Sequence, residues 1–153
     1  MFLHKESTKH SERLRSTFRS EHKLFLSHRS FDKLRVREIA EALKSAGIGV
    51  WFDETDILPS QSIVEEIGDG LSSMSHFLLF WSASCVDAPW VKRELSVAVK
   101  KLIESGVPLF VISLDQTPVP PIIEDIKRID AMSISTVELA LVIRDAIQRL
   151  PKA

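Results

Sequence analysis

Short apolar runs of strand length recur along this chain with no alternating polar residues inside them, and that pattern limits the folds open to it. The runs are Leu24-Phe25-Leu26, Ile48-Gly49-Val50-Trp51-Phe52, Phe77-Leu78-Leu79-Phe80-Trp81 and Leu109-Phe110-Val111-Ile112, with a weaker one at Ile129 to Ile134. A strand with one wet face alternates apolar and polar residues. A run that is apolar throughout must be covered on both faces, which is the condition of a parallel sheet lying between layers of helices.

The segments between the runs carry the helical period. Val36, Ile39, Ala40 and Leu43 fall at i, i+3, i+4 and i+7, and Gly47 stands where such a helix stops. Ser62-Ile63-Val64-Glu65 reads as a capping box, with Ile67 and Leu71 extending one face. Val91, Leu95, Ala98, Val99 and Leu102 form a third stripe, with Pro89 in its first turn. A short helix is expected after Pro120-Pro121. Thr136 is expected to cap a last helix that carries Leu139, Ile143, Ile147 and Leu150. Strand and helix thus alternate about five times in roughly 130 residues, which predicts a doubly wound α/β domain of right-handed crossovers. The expected architecture is a flavodoxin-like three-layer fold, a five-stranded parallel sheet of order 2-1-3-4-5 flanked by helices.

Composition agrees with one such domain over residues 23–150. The chain has 153 residues, 44% of them hydrophobic, enough for one real core. Its 27% charged residues leave a formal net charge of only −1, which argues against a general nucleic-acid binder. Residues 1–22 hold five basic side chains against three acidic ones, a surplus of +2 that leaves −3 for the rest. They read as a polar, basic leader, either flexible or a short helix. The single cysteine, Cys85, admits no internal disulfide and no cysteine-based metal cage, and the five histidines show no metal-ligand spacing. No apolar run approaches the roughly 18 to 20 residues of a membrane span. The start of the chain lacks the apolar stretch of a secretory signal, so a cytoplasmic location is expected.

In sheets of this kind ligands bind beyond the carboxyl ends of the strands, where the strand order changes direction. That directs attention to the loops Ser27–Asp32, Asp53–Ser62 and Ser82–Trp90. None contains a Gly-x-Gly-x-x-Gly or a phosphate-binding P-loop, and the chain has no Gly-x-Ser-x-Gly elbow. A phosphate-accepting receiver would need acidic residues after the first strand and an aspartate after the third, where this chain has Ser27-His28 and Trp81-Ser82.

What the loops do contain is specific. The first strand ends Leu24-Phe25-Leu26-Ser27-His28-Arg29-Ser30-Phe31-Asp32. The second runs Gly47-Ile48-Gly49-Val50-Trp51-Phe52-Asp53-Glu54 into Asp56-Ile57-Leu58-Pro59-Ser60. The third gives Trp81-Ser82-Ala83-Ser84, followed by Pro89-Trp90-Val91-Lys92-Arg93-Glu94-Leu95. In order and spacing these motifs resemble the Toll/interleukin-1 receptor (TIR) domain family, in its NAD-cleaving form, over everything except the leader.

The resemblance implies that Glu94, four residues after Trp90, is the catalytic group. Positions i and i+4 share a helix face, and at about 100° per residue Glu94 lies at the edge of the apolar stripe. Candidate substrate contacts accompany it at His28, Arg29, Ser84, Ile63 and Trp90. Arg29 would pair with a phosphate, and Trp90 would wall the nicotinamide pocket or anchor its helix. Trp51 and Trp81 read as core, Asp53, Glu54 and Asp56 as a solvated loop face, and Cys85 as a bystander thiol. The implied activity is an NAD glycohydrolase or cyclase releasing nicotinamide, with NAD as substrate and no further cofactor or metal. It would act as an immune or cell-death effector switched on by self-association through the Asp53–Ser62 loop, with no nucleic acid or membrane partner for this domain.

Two positions depart from the family pattern. Ser60 stands where many members have glycine, and Ile63 where NAD-cleaving members place an aromatic. The second loses a stacking surface worth about 1 kcal/mol. Both favour the alternative of a non-enzymatic adaptor that works through TIR–TIR contacts, whereas Glu94 after Trp90 weighs for the enzyme.

Overall fold

Each of the five apolar runs becomes a strand: β1 (Lys23–Ser27), β2 (Gly49–Trp51), β3 (His76–Trp81), β4 (Leu109–Ser113) and β5 (Arg128–Asp130). The computed structural model describes residues 22–52, 63–71, 73–86 and 94–150. All neighbouring strands pair in parallel, in the order β2-β1-β3-β4-β5. The leader up to residue 21, the Asp53–Ser62 loop with Ser60 and the Ser62 cap, and the stretch with Pro89, Trp90 and Val91 lie outside the described residues.

Successive residues of each strand point to opposite faces, and the burial follows that rule. Leu24, Leu26, Leu78, Phe80, Phe110 and Ile112 meet α1 (Lys33–Ser45) and α5 (Thr136–Arg149), which contribute Ile39, Leu43, Leu139 and Ile143. On the other face Phe25, Phe77, Leu79, Trp81 and Val111 meet Ile67 of α2 (Ile63–Gly70) and Leu95, Ala98 and Leu102 of α4 (Leu95–Glu104). Phe25 and Phe77 sit opposite each other in register and stack with centroids 5.2 Å apart. The absence of alternation in the strands therefore has its expected cause, burial on both sides.

The predicted helix stop at Gly47 is realised in full. Gly47 takes φ +85°, its N–H reaches the Lys44 carbonyl at 3.0 Å, and Ile48 N–H reaches the Leu43 carbonyl at 3.0 Å. This is the double closure that only a left-handed residue permits cheaply. Several details differ from expectation. The cap of α5 is Ser135, whose hydroxyl accepts Glu138 N–H at 3.1 Å, while the hydroxyl of Thr136, one residue later, receives Arg35 from α1. The last strand ends at Asp130 instead of running to Ile134, because the Asp130 carboxylate accepts Met132 N–H at 2.7 Å and turns the chain off the sheet. A short helix, α3 (Ala83–Val86), stands where the chain read as loop. Trp81 is core at 1% exposure, while Trp51 is half-buried, edge-on to Phe25 at 4.8 Å. The turn after Pro120 is a single 3-10 turn at Pro121–Ile123.

At the amino ends of the strands a buried polar group ties the chain together. His76 donates Nε2–H to the Leu150 carbonyl at 2.7 Å, and its Nδ1 lies 2.9 Å from Ser75 Oγ, which also accepts Lys23 N–H at 2.8 Å. The carbonyl acceptor selects the tautomer with hydrogen on Nε2. Among the described residues no helix is long and apolar enough to cross a membrane.

Candidate functional site

Strand order reverses direction between β1 and β3, so the loops leaving their carboxyl ends frame the position where a ligand is expected. The loop after β1 carries His28 and Arg29. His28 is only 6% exposed and packs against Phe52 with ring centroids 5.0 Å apart. Its Nδ1 donates to the Arg29 carbonyl at 3.0 Å, and its Nε2 is buried with no hydrogen-bond partner among the described residues. A buried ring nitrogen without a partner costs free energy that something else must offset, which makes it a candidate contact for a donor. Arg29 is half-buried, and its carbonyl accepts Asp32 N–H at 2.9 Å to close the 3-10 turn Ser30–Asp32.

The loop after β3 meets this one through oxygen atoms. Ser82 donates to Asp32 Oδ2 at 2.5 Å and Ser84 donates to the same oxygen at 2.8 Å, with the two hydroxyl oxygens 2.8 Å apart. Ser84, a candidate substrate contact, therefore has its hydroxyl proton engaged by Asp32. On the far side, Ala83 N–H at the start of α3 donates to Asp115 Oδ2 at 2.9 Å. Burial opposes the charge on Asp115, yet the bonds from the Thr117 hydroxyl and from the Ala83 and Thr117 N–H groups outweigh it and hold the carboxyl below its usual range. The carboxyl ends of β1, β3 and β4 are thus bolted together by two aspartates.

Glu94 is the residue on which α4 opens. It is half-buried, its carbonyl accepts Ala98 N–H at 2.8 Å, and its side chain makes no capping bond to the helix. Among the described residues its carboxylate has no hydrogen-bond or ion-pair partner. Because α4 follows β3 in a parallel sheet, this end of the helix lies at the carboxyl side of the strands. Trp90 is outside the described residues. Ile63 is placed in the core at 2% exposure, among Phe25, Ile67 and Trp81, with its side-chain surface already covered. Cys85 is buried, and that burial, with the Asp32 charge adding to it, pushes its thiol up, the state of an inert cysteine.

A separate polar cleft of about 240 Å3 opens beside the ends of β4 and β5, lined by Ser113, Asp115, Thr117, Arg128 and Asp130 among others. None of the described candidate residues lines it, and the position of the topological switch is the better guide to the chemistry. Sequence reading marked both loops but missed Asp32 and Ser82 as partners. Their signal is tertiary, a contact between residues 50 apart in sequence.

The family model described as "TIR domain" matches residues 24–141. The 2' cyclic ADP-D-ribose synthase BtTIR of Bacteroides thetaiotaomicron is 37% identical over 78 residues, 50% of this chain and 27% of that protein. The NAD(+) hydrolase TcpA of Theionarchaea archaeon (strain DG-70-1) is 32% identical over 85 residues, 55% of this chain and 26% of that protein. The chain therefore spans less than a third of the length of either relative. Among solved structures, a metazoan TIR-STING receptor from C. gigas in complex with 2',3'-cGAMP superposes with a TM-score of 0.60 at 22% identity, covering 80% of this chain and 39% of that one.

Proposed function

The chain belongs to the TIR domain family, and on that premise we propose that it cleaves the bond between nicotinamide and ribose in NAD, with Glu94 as the catalytic carboxylate. The observation that carries the reading is Glu94 itself: half-buried, without a side-chain partner among the described residues, at the opening of α4. Relatives whose names state NAD hydrolysis or cyclic ADP-ribose synthesis support it.

The chemistry needs little more than one anionic oxygen. Nicotinamide leaves a cationic pyridinium as a neutral molecule, so no general acid has to protonate it. Positive charge grows on the ribose, as in glycoside cleavage. A carboxylate held close to the ribose stabilises that charge, and a site shielded from bulk water makes the attraction stronger. Capture of the ribosyl cation by water yields ADP-ribose; capture by a nucleophile elsewhere in the same molecule yields a cyclic product. Arg29 pairs with a phosphate of the substrate, and His28 offers to a donor the Nε2 that has no partner among the described residues. NAD is the substrate, and no other cofactor enters this scheme.

Self-association completes the proposal. Contacts between copies through the Asp53–Ser62 loop assemble the productive site, so dilute protein turns over slowly. The experiment is nicotinamide release with product identification, dilute against artificially clustered protein, wild type against Glu94→Ala. Clustering is expected to raise the rate, and Glu94→Ala to lower it by a factor of about 100 or more. Equal rates in the two proteins overturn the role of Glu94. The covered side chain of Ile63, which offers no stacking surface, favours a second reading as an adaptor. That reading predicts assembly with no NAD consumption by either protein.

A further inference from the structure

Asp32 occupies the position that caps α1, yet its carboxylate makes no capping bond to that helix. An aspartate there ordinarily accepts N–H groups of its own first turn. Here the side chain turns instead to the loop after β3, where one oxygen gathers the hydroxyls of Ser82 and Ser84 at 2.5 and 2.8 Å. Ser84 N–H adds a 3.3 Å contact to Ser82 Oγ, so the two serines are also tied to each other. Hydroxyl-to-carboxylate bonds of this length are among the stronger ones a protein makes, and Ser82 is only 4% exposed, which shields the pair from competing water.

The bridge spans two segments that matter separately. Asp32 lies three residues after Arg29 and four after His28, with its N–H bonded to the Arg29 carbonyl. Ser82 and Ser84 open the stretch of chain that leads to Glu94. We infer that Asp32 is a positioning residue: by holding Ser82 and Ser84 it fixes the His28–Arg29 turn against residues 82–86, the described start of the connection from β3 to Glu94, without itself touching substrate. The inference rests on the NAD-cleaving reading for its functional consequence, while the bridge is a matter of structure.

The test uses the full chain, clustered and supplied with NAD, in five forms: wild type, Asp32→Ala, Asp32→Asn, Ser82→Ala/Ser84→Ala, and the triple variant with Asp32→Ala. Loss of positioning is expected to lower kcat by about 10- to 100-fold in Asp32→Ala, with KM raised by no more than the about tenfold expected of losing the Arg29 contact itself. In the background lacking both hydroxyls, Asp32→Ala is expected to change kcat by less than about twofold, because its path is already cut. Asp32→Asn, whose amide oxygen still accepts a hydroxyl, is expected to recover kcat to within about fivefold of wild type. Effects that multiply across the two backgrounds, or that fall on KM alone, would overturn the inference.

Hydrogen exchange supplies a readout independent of NAD. Asp32→Ala is expected to speed exchange at residues 28–32 and at 83–86 together, while the middle of α1 and α5 stays protected. Unchanged exchange at either loop overturns the bridge whatever the activity. Faster exchange at both loops with a wild type inert toward NAD overturns the enzymatic reading and leaves the bridge standing.

Discussion

Trp81 and Pro118 are joined by a 3.0 Å hydrogen bond from the indole Nε1–H to the proline carbonyl, so the last residue of the central strand also holds the loop beyond β4. Trp81 is 1% exposed and contributes to the core on the α2–α4 face. Trp81→Phe keeps most of that apolar contact but removes the N–H and leaves a void. The expected cost is about 1–3 kcal/mol, read as a lower urea midpoint at unchanged slope.

His76 makes stability depend on pH. Burial lowers its pKa below the ordinary 6.5, its bond to the Leu150 carbonyl pulls the other way without prevailing, and the neighbouring His22 lowers it further. The folded chain thus prefers the neutral ring, and between the lowered value and 6.5 the unfolded chain binds more protons. Stability therefore rises with pH in that window: it is complete above about 6.5 and is lost as the pH falls through the folded value. Thermal unfolding from pH 7.5 downward should show this loss, and His76→Gln should flatten it.

Arg29→Ala separates binding from chemistry. A phosphate contact made equally in the ground and transition states acts on KM, so the expected result is a KM raised about tenfold with kcat within about twofold. A fall in kcat alone would move Arg29 out of the binding role.

Ser135→Ala removes the hydroxyl that accepts Glu138 N–H at the start of α5. The expected loss is about 1 kcal/mol in denaturant titration. Thr136→Ala, which deletes only the acceptor of Arg35, is expected to lose less than about 1 kcal/mol.

Two glycines should respond to alanine with opposite sign. A Cβ at Gly47 meets no atom of the described residues within 4 Å, but φ +85° strains any L side chain, so Gly47→Ala is expected to cost about 1 kcal/mol. Gly68 lies inside α2, is also open around its Cβ among the described residues, and has no positive φ. Gly68→Ala is expected to add about 0.5–1 kcal/mol of stability.

The fold was legible because its cause is local. Apolar runs at Leu24, Phe77 and Leu109, separated by helical stripes ending at signals such as Gly47, admit few arrangements besides a doubly wound parallel sheet. What escaped was set by contacts across the sheet. The α3 turn at Ala83–Val86 is held at its start by Asp115, 32 residues away, as well as by the adjacent Ser82 hydroxyl, which accepts Ser84 N–H at 3.3 Å. The choice of Ser135 over Thr136 as cap followed from Arg35 claiming the second hydroxyl, a partner 101 residues distant. Glu94 and its companions emerged as candidates from motif order alone. The Asp32–Ser82–Ser84 cluster could not, since no spacing rule links a carboxylate to hydroxyls in another loop.

His22, just before β1, and Leu150, bonded to His76 at the start of β3, lie together at one pole of the molecule, and the strand-end loops lie at the other. A five-residue strand separates these poles by roughly 16 Å. A neighbouring module or an immobilising tag fused at either position would hang from the base like a stalk. It would leave the opposite pole unobstructed, so many copies could be grafted side by side on a common support with their upper rims facing outward.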